Sequence, residues 1–409
     1  LRKKNMRTTI LLGMLLFQFV CSGQTLQEYL KEAAANNPEL QAMKYQIQGE
    51  EEKIKEVGSL PETSVGAGYF MSEPETRTGA QKAKLSVQQK IPWFGTNASK
   101  RKTQQTKSEM TKSKYEVLKR KIFLQIEQKY YQVYGLKATL KVLEQREKIL
   151  DTYKELGLVA VENNKASTVD ILRINIAKNG ILNSKEVIKG AILSAESAFN
   201  QLLHRDGFDP LHIVDNLFIP EEEPTMMLDD ITYHPELITY DYYQEVLENQ
   251  LITNKREAMP DIGVGVDYIV VEERPDMNFS DNGKDIVMPM VTFSFPLFSK
   301  KYSSRSKQID LEKEAVAQKR EATQNVLEKI MDTAINDRIT ARINYTTYQK
   351  NIDEALLAEE IIRKTYETGT IDFEEVLEIQ ELILEFEKKK IEAIQAYYSH
   401  SAILNYLRQ

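Results

Sequence analysis

Two short stretches far apart in the chain, PETSVGAGYF from Pro61 and PDIGVGVDYI from Pro260, share Pro, Val, Gly and Tyr at matching places. Each follows a helix-like run rich in Glu and Lys, and each reads as a strand. The repetition extends further. NNPEL at 36–40 is answered by YHPEL at 233–237, IPWF at 91–94 by FPLF at 295–298, and VENNKASTVDIL at 161–172 by YETGTIDFEEVL at 366–377. The matches keep their order, and their offset drifts only by the few residues that loop insertions add. The chain is a duplication, and its fold must use one plan twice. In the last match Asn164 stands where the second copy has Gly369. Asn is the non-glycine residue most tolerant of positive φ, so one left-handed turn would serve both copies.

Each copy reads as an opening helix (about 25–58, about 233–258), two strands, a long helix (about 97–160, about 303–367), a break and a last helix (about 167–204, about 372–406). The expected organisation is a first repeat over 24–205 with strands about 61–71 and about 83–92, a linker or equatorial segment over 206–232, and a second repeat over 233–409 with strands about 261–271 and about 286–297. The breaks carry capping residues: NNKAST offers Asn and Ser/Thr, and TGTID offers Gly, then Thr and Asp. In the first long helix Leu118, Ile122, Ile126, Val133, Leu136, Leu140, Leu143 and Leu150 recur at spacings of three, four or seven. That stripe is the seam of a helix packed lengthwise on its neighbours.

The strands carry the functional question. Val65, Ala67, Tyr69 and Met71 alternate with Ser64, Gly66, Gly68 and Phe70. Leu85, Val87 and Ile91 alternate with Lys84, Ser86, Gln88 and Lys90, Gln89 being the exception on the apolar side. Ile262, Val264, Val266, Tyr268 and Val270 alternate with Gly263, Gly265 and Asp267, and Val287, Val291, Phe293, Phe295 and Leu297 with a mixed face. Each segment is about ten residues, the length of a tilted strand that crosses a bilayer. Their connections are polar and turn-rich, and Tyr69, Trp93, Phe94, Tyr268 and Phe298 fall near segment ends, where an interfacial aromatic belt would lie. Four strands cannot close a membrane barrel, and an open edge in lipid leaves backbone groups unsatisfied. Two chains would pool eight strands, a barrel that its own side chains fill. Three would pool twelve and leave room for a conduit, so a transport task favours a homotrimer.

The beginning of the chain reads as a targeting signal, expected over residues 1–23. Arg2, Lys3, Lys4 and Arg7 precede the apolar run TILLGMLLFQFV, too short to span a bilayer, and CSG supplies small residues for cleavage. Cys21 is the only cysteine. Cleavage would leave no thiol or disulfide, so stability must come from packing. The residues QFV before Cys21 are not those of a lipoprotein signal, which disfavours a lipid anchor. Removing the segment takes the net charge from −7 to −11, which argues against nucleic acid as a partner. With 28% charged and 9% aromatic residues, the composition is that of a folded, helix-leaning chain rather than a disordered one.

Over essentially its whole mature length the chain resembles the TolC-type outer-membrane efflux channels. The resemblance rests on the duplicated helix–hairpin–helix plan, on NPEL and HPEL in the opening helices, on IPWFG and FPLFS closing the hairpins, and on YETGTIDFEEVLEIQ before the last helix. It implies a mostly α protein with membrane β-structure: a homotrimeric α-helical barrel in the periplasm plus a shared twelve-stranded transmembrane β-barrel. It implies work as the outer-membrane channel of a tripartite efflux or export system, with a periplasmic adaptor and an inner-membrane pump as partners. Val65, Tyr69, Val264 and Tyr268 would face outer-membrane lipid. The two helix breaks would form a tip that meets the adaptor, with Asn164, Tyr366, Gly369 and Thr370 at it. Glu375 and Glu378 stand three apart on one helix face and match the family's paired acidic residues at the periplasmic entrance; three copies would make carboxylate rings that favour cations. Acidic residues also suit a helix N-terminus for its dipole alone. Ile371 replaces an arginine that the family carries there, so a polar latch built on that arginine is not expected.

The alternative is a periplasmic helical adaptor or scaffold without a barrel, which explains the stripe and the signal but leaves the duplicated strands arbitrary. An enzyme is not expected, because no nucleophile elbow, phosphate-binding glycine loop or His/carboxylate cluster is present. His234 and Glu236 are two apart on a helix and do not share a face, so no metal site and no cofactor are expected. Met226, Met227, Met259, Met288 and Met290 suit soft-metal cargo in principle, but Met in strands and linkers is ordinarily apolar filler.

Overall fold

The computed structural model describes residues 25–163, 166–221, 231–276, 278–367, 370–371 and 373–408. Among these residues seven α-helices and five strands follow in order: α1 (Leu26–Asn36), α2 (Pro38–Val57), β1 (Thr63–Tyr69), β2 (Glu75–Thr76), β3 (Gly79–Ile91), α3 (Thr96–Glu162), α4 (Thr168–Leu203), α5 (Pro235–Glu257), β4 (Asp261–Val271), β5 (Ile286–Ser294), α6 (Lys301–Glu367) and α7 (Phe373–Leu407). The fold is mostly helical with one small sheet. The opening helix expected over 25–58 is two helices. Asn37 is extended at φ −61°, ψ 125° because the residue before a proline is pushed out of the α region, and Pro38 starts α2. Tyr69 ends β1, so Met71 lies outside it, and Phe295 and Leu297 lie beyond β5. Strand β3 starts at Gly79, ahead of the expected 83, because it also pairs with β2.

The described chain forms two compact units, and each draws on both repeats. The first holds residues up to Pro38, Arg120–Met227 and Ile330–Leu407. Its core follows the apolar stripe: Ile122, Ile126, Val133, Leu143 and Leu150 are all buried on α3. Tyr134 packs with Ile219, Ala341, Ile394 and Tyr397, and Leu143 and Leu150 pack with Ile181. The segment around 211–219, expected as linker, is strapped against this unit. The backbone N–H groups of His212, Val214 and Leu217 donate to the hydroxyls of Tyr29, Tyr130 and Tyr134 at 3.0, 3.1 and 3.1 Å. Leu211 and Ile219 are buried beneath it. Irregular backbone can be held in a core only when its polar groups find partners, and the tyrosines supply them.

The second unit holds Glu39–Lys119 and Leu228–Lys329. Its helices α2 and α5 pack with the first third of α3 and the first part of α6. Leu247 meets Ile309 and Val316 in an apolar cluster, whereas the α3–α5 contact is polar. The hydroxyls of Thr103 and Thr253 lie 3.1 Å apart, Asn249 Nδ2 donates to Thr106 Oγ1 at 3.0 Å, and Ser113 Oγ donates to the Pro235 carbonyl at 3.0 Å. The sheet is antiparallel in the order β1-β3-β4-β5, with β1 and β5 at its edges. Pro289 lacks an N–H and sits in β5, an edge strand of the sheet within one chain, where proline is tolerated.

Candidate functional site

Register decides what each face of the sheet presents, because residues directly opposite share a face. Val65, Val87, Val266 and Pro289 form one row across all four strands; Ala67, Leu85, Tyr268 and Val287 form the next; Gln89, Val264 and Val291 lie in a third. The rows are apolar and exposed, Val65 being 75% and Tyr69 71% accessible. All four residues expected to face lipid, Val65, Tyr69, Val264 and Tyr268, lie on this face and are exposed. Gln89, the polar exception, is answered locally: it accepts from Thr63 Oγ1 at 2.5 Å and donates to the Pro61 carbonyl at 2.8 Å.

The opposite face is polar and glycine-rich. Its rows include Gly66, Ser86, Asp267 and Met288, then Ser64, Gln88, Gly265 and Met290. Asp267 is fully buried and ion-paired with Lys84, and Lys90 Nζ stands 2.7 Å from Asp261 Oδ2. Such a sheet departs from that of a soluble protein, with an apolar face open to solvent and its ion pairs on the opposite face.

The second assembly of interest is where the helix ends that flank the two breaks pack together in the first unit. Tyr153 near the end of α3, Ile171 and Ile174 on α4, and Phe373 and Val376 on α7 form one buried cluster, with Val161, Ile362 and Tyr366 packed on it. Ser167 caps α4, accepting from the Val169 N–H at 3.1 Å, as the NNKAST break suggests. Asn164, Gly369 and Asp372 lie outside the described residues. Thr370 is exposed, and its N–H donates to the Thr365 carbonyl at 3.2 Å. The Tyr366 ring meets Phe373 edge-on at 5.3 Å, and its buried hydroxyl has no hydrogen-bond partner among the described residues. Burial, and then the charge of Asp170, push the Tyr366 phenol above its ordinary range.

On the first turns of α7, Phe373 and Val376 point into this cluster while Glu375 and Glu378 are exposed. Among the described residues neither glutamate has an ion-pair partner. Their neighbour Glu374 does, accepting from Arg173 Nη1 of α4 at 2.6 Å. Deeper in, Arg146 is 6% exposed, its Nη1 donating to Gln380 Oε1 at 2.9 Å and its Nε to Glu387 Oε2 at 3.0 Å. Tyr153 donates to Glu359 at 2.9 Å. These ties were not read from the sequence. A signal for Arg146 was available, since it interrupts the Leu143–Leu150 stripe at a position where a leucine would fit. Its partner on a distant helix is not visible from spacing.

Among the described residues no group of three or more His, Cys, Asp or Glu could hold a metal ion, and no helix is long and apolar enough to cross a membrane. The sequence model of the outer membrane efflux protein family matches residues 29–177. No curated protein sequence matches the chain. Among solved structures the chain is similar to the outer membrane protein VceC of Vibrio cholerae, at 13% identity and a TM-score of 0.73 over 93% of this chain and 95% of that one. It is similar to the CmeC outer membrane channel of Campylobacter jejuni, at 14% identity and a TM-score of 0.75 over 93% and 85% of the two chains. The MtrE outer membrane channel of Neisseria gonorrhoeae matches at 12% identity and a TM-score of 0.72 over 93% and 88%. At these identities the likeness is one of fold.

Proposed function

We propose that this chain is an outer membrane efflux protein, an outer-membrane channel that extends into the periplasm, and that it works as a homotrimer. The observation that carries the reading is the inverted sheet: an apolar face exposed across four strands, ion pairs on the other face, and two unpaired edges. In lipid each unpaired backbone group costs several kcal/mol. Closure therefore requires the β5 edge of one copy to pair with the β1 edge of the next. Three copies make a twelve-stranded barrel with Val65, Tyr69, Val264 and Tyr268 toward lipid and the Lys84–Asp267 face toward water. The helices then form a periplasmic α-helical barrel. A helical adaptor that never enters a membrane gives no reason for this inversion.

Within that reading, the end where the helix breaks meet is the periplasmic entrance. Glu375 and Glu378 of three copies make two carboxylate rings there, and Tyr366 and Thr370 belong to the surface that receives a periplasmic adaptor and, through it, an inner-membrane pump. Ile371 stands where the family carries an arginine, so closure at this end depends more on the Tyr366–Phe373 packing. Native mass measurement and cross-linking in detergent test the assembly. Extraction from outer membranes only with detergent, and a trimer thereafter, is the expected result. A stable membrane-free monomer would overturn it.

A further inference from the structure

The sheet is a single layer, so a residue on its water-facing side should be open to solvent in one chain. Ile269 and Val271 break that expectation. Alternation along β4 puts both on the Asp267 face, yet they are only 8% and 5% exposed. At the opposite end the strands run into helices; at this end they run only into the connections between β1 and β3 and between β4 and β5. Gly79, where one connection meets β3, lies against Val271: a Cβ there would stand 3.1 Å from Val271 Cγ1.

The two connections are stitched together. The Glu272 N–H donates to the Ala80 carbonyl and the Gly283 N–H to the Thr78 carbonyl, each at 2.8 Å. The Arg274 guanidinium crosses to the other connection, its Nη1 donating to the Thr76 carbonyl at 3.4 Å, while its backbone N–H and carbonyl are held within its own connection by the Asn282 side chain at 2.8 and 2.9 Å. Lys82 reaches Glu73 and Glu272, and the Arg77 guanidinium lies over the Phe279 ring at 5.4 Å. Gly79 permits the crossing. It has φ 132°, and a Cβ there would stand 1.7 Å from the Glu272 carbonyl oxygen.

We propose that these two connections fold over the water-facing side of the sheet as a cap that narrows the outer mouth of the channel. This rests on the trimeric-barrel reading above. Three such caps project toward a common axis, each held by backbone hydrogen bonds rather than by free loop contacts. The outer mouth is thereby a built constriction, distinct from the periplasmic entrance.

Single cysteines in a Cys21→Ser background test it, labelled in intact cells with a membrane-impermeant maleimide. Met290→Cys lies on the inner face clear of the cap, Val264→Cys on the lipid face, and Ile269→Cys under the cap. The expected order is ready labelling at position 290, none at 264, and a rate at 269 roughly tenfold below that at 290 because the cap must open first. Adding Gly79→Ala or, separately, Arg274→Ala should close most of that gap while trimers persist. Equal labelling at 269 and 290 with 264 still protected overturns the cap and leaves the barrel standing. Slow labelling at 269 that neither loosening change relieves also overturns it, since another element must then provide the cover. Labelling at 264 as fast as at 290 removes the barrel reading itself.

Discussion

Helix α3 is one uninterrupted helix, yet its two parts are held by different means. Beyond Arg120 it belongs to the first unit, and its buried residues are mostly apolar or aromatic, Ile122, Ile126, Tyr130, Val133, Leu143 and Leu150 among them, with Arg146 the charged exception. Before Lys119 it belongs to the second, and the buried residues are mostly Gln104, Thr106, Ser108, Thr111 and Ser113. The first part is stabilised by removing apolar area from water, a non-directional effect that tolerates sliding and repacking. The second is held by matched donors and acceptors on α5, which are short and directional. Such a seam adds little net free energy per bond, about 0.5–1.5 kcal/mol, but it penalises any other register heavily. The unit that carries the sheet thus has its helices indexed against one another by hydrogen bonds. The unit that carries the helix breaks is packed mainly by volume.

Four changes would break or sharpen this contrast, measured as shifts in urea-unfolding midpoint in detergent. Leu143→Ala, in the apolar part, should have the largest effect, about 2–5 kcal/mol from lost transfer energy and the cavity left behind. A loss under about 1 kcal/mol would mean that this part collapses around the cavity and is not close-packed. Thr106→Val keeps shape but strands the buried Asn249 amide, and should cost about 1–3 kcal/mol. Pairing it with Asn249→Leu should recover most of the loss, because two missing partners are cheaper than one. A double variant as unstable as the sum of its singles would show that the polar seam matters only as volume.

Glu127 tests the apolar part from the other side. Burial raises its pKa above the ordinary 4.5, against a smaller opposing hydrogen bond to Asn405. A carboxyl with a raised folded-state value favours the fold most below its unfolded value and loses that contribution as pH rises through the folded one. Glu127→Gln should therefore stabilise the protein at neutral pH, by less than the Thr106 effect, and make no difference in acid below 4.5. A gain that persists unchanged into acid would assign it to packing rather than charge. The smallest stability effect is expected for Glu375→Gln with Glu378→Gln, within about 0.5 kcal/mol for exposed side chains. In planar bilayers that double variant should lose cation selectivity and cation block with the trimer intact. Unchanged selectivity would remove both residues from the pore entrance.

Much of the fold is legible in local pattern. The period of two in Val264, Val266 and Tyr268 puts them on one face in any strand, and Ser167 followed by an apolar run marks a helix start whatever surrounds it. The apolar stripe of α3 needs only the helix period. The polar seam was not legible in the same way, because Thr106 and Ser113 read as solvated until α5 is placed against them. The same holds at the candidate entrance. The exposure of Glu375 and Glu378 follows from the helix face they share, but the Arg146–Gln380–Glu387 tie joins residues on two helices whose proximity no spacing encodes.

By itself, then, the sequence determined the repeated motifs, the element types, the faces of strands and helices, and a strand count too small to close a barrel within one chain. These are local or counting properties, set by backbone period and side-chain chemistry within a few residues. Only the tertiary structure decided that β3 pairs with β4 to make one sheet of two hairpins, that tyrosine hydroxyls hold the 211–219 strap, and that Ile269 and Val271 are buried on the polar face of the sheet. Each of those is a contact between segments far apart in the chain. Its free energy depends on which surfaces meet, and composition and period are silent on that.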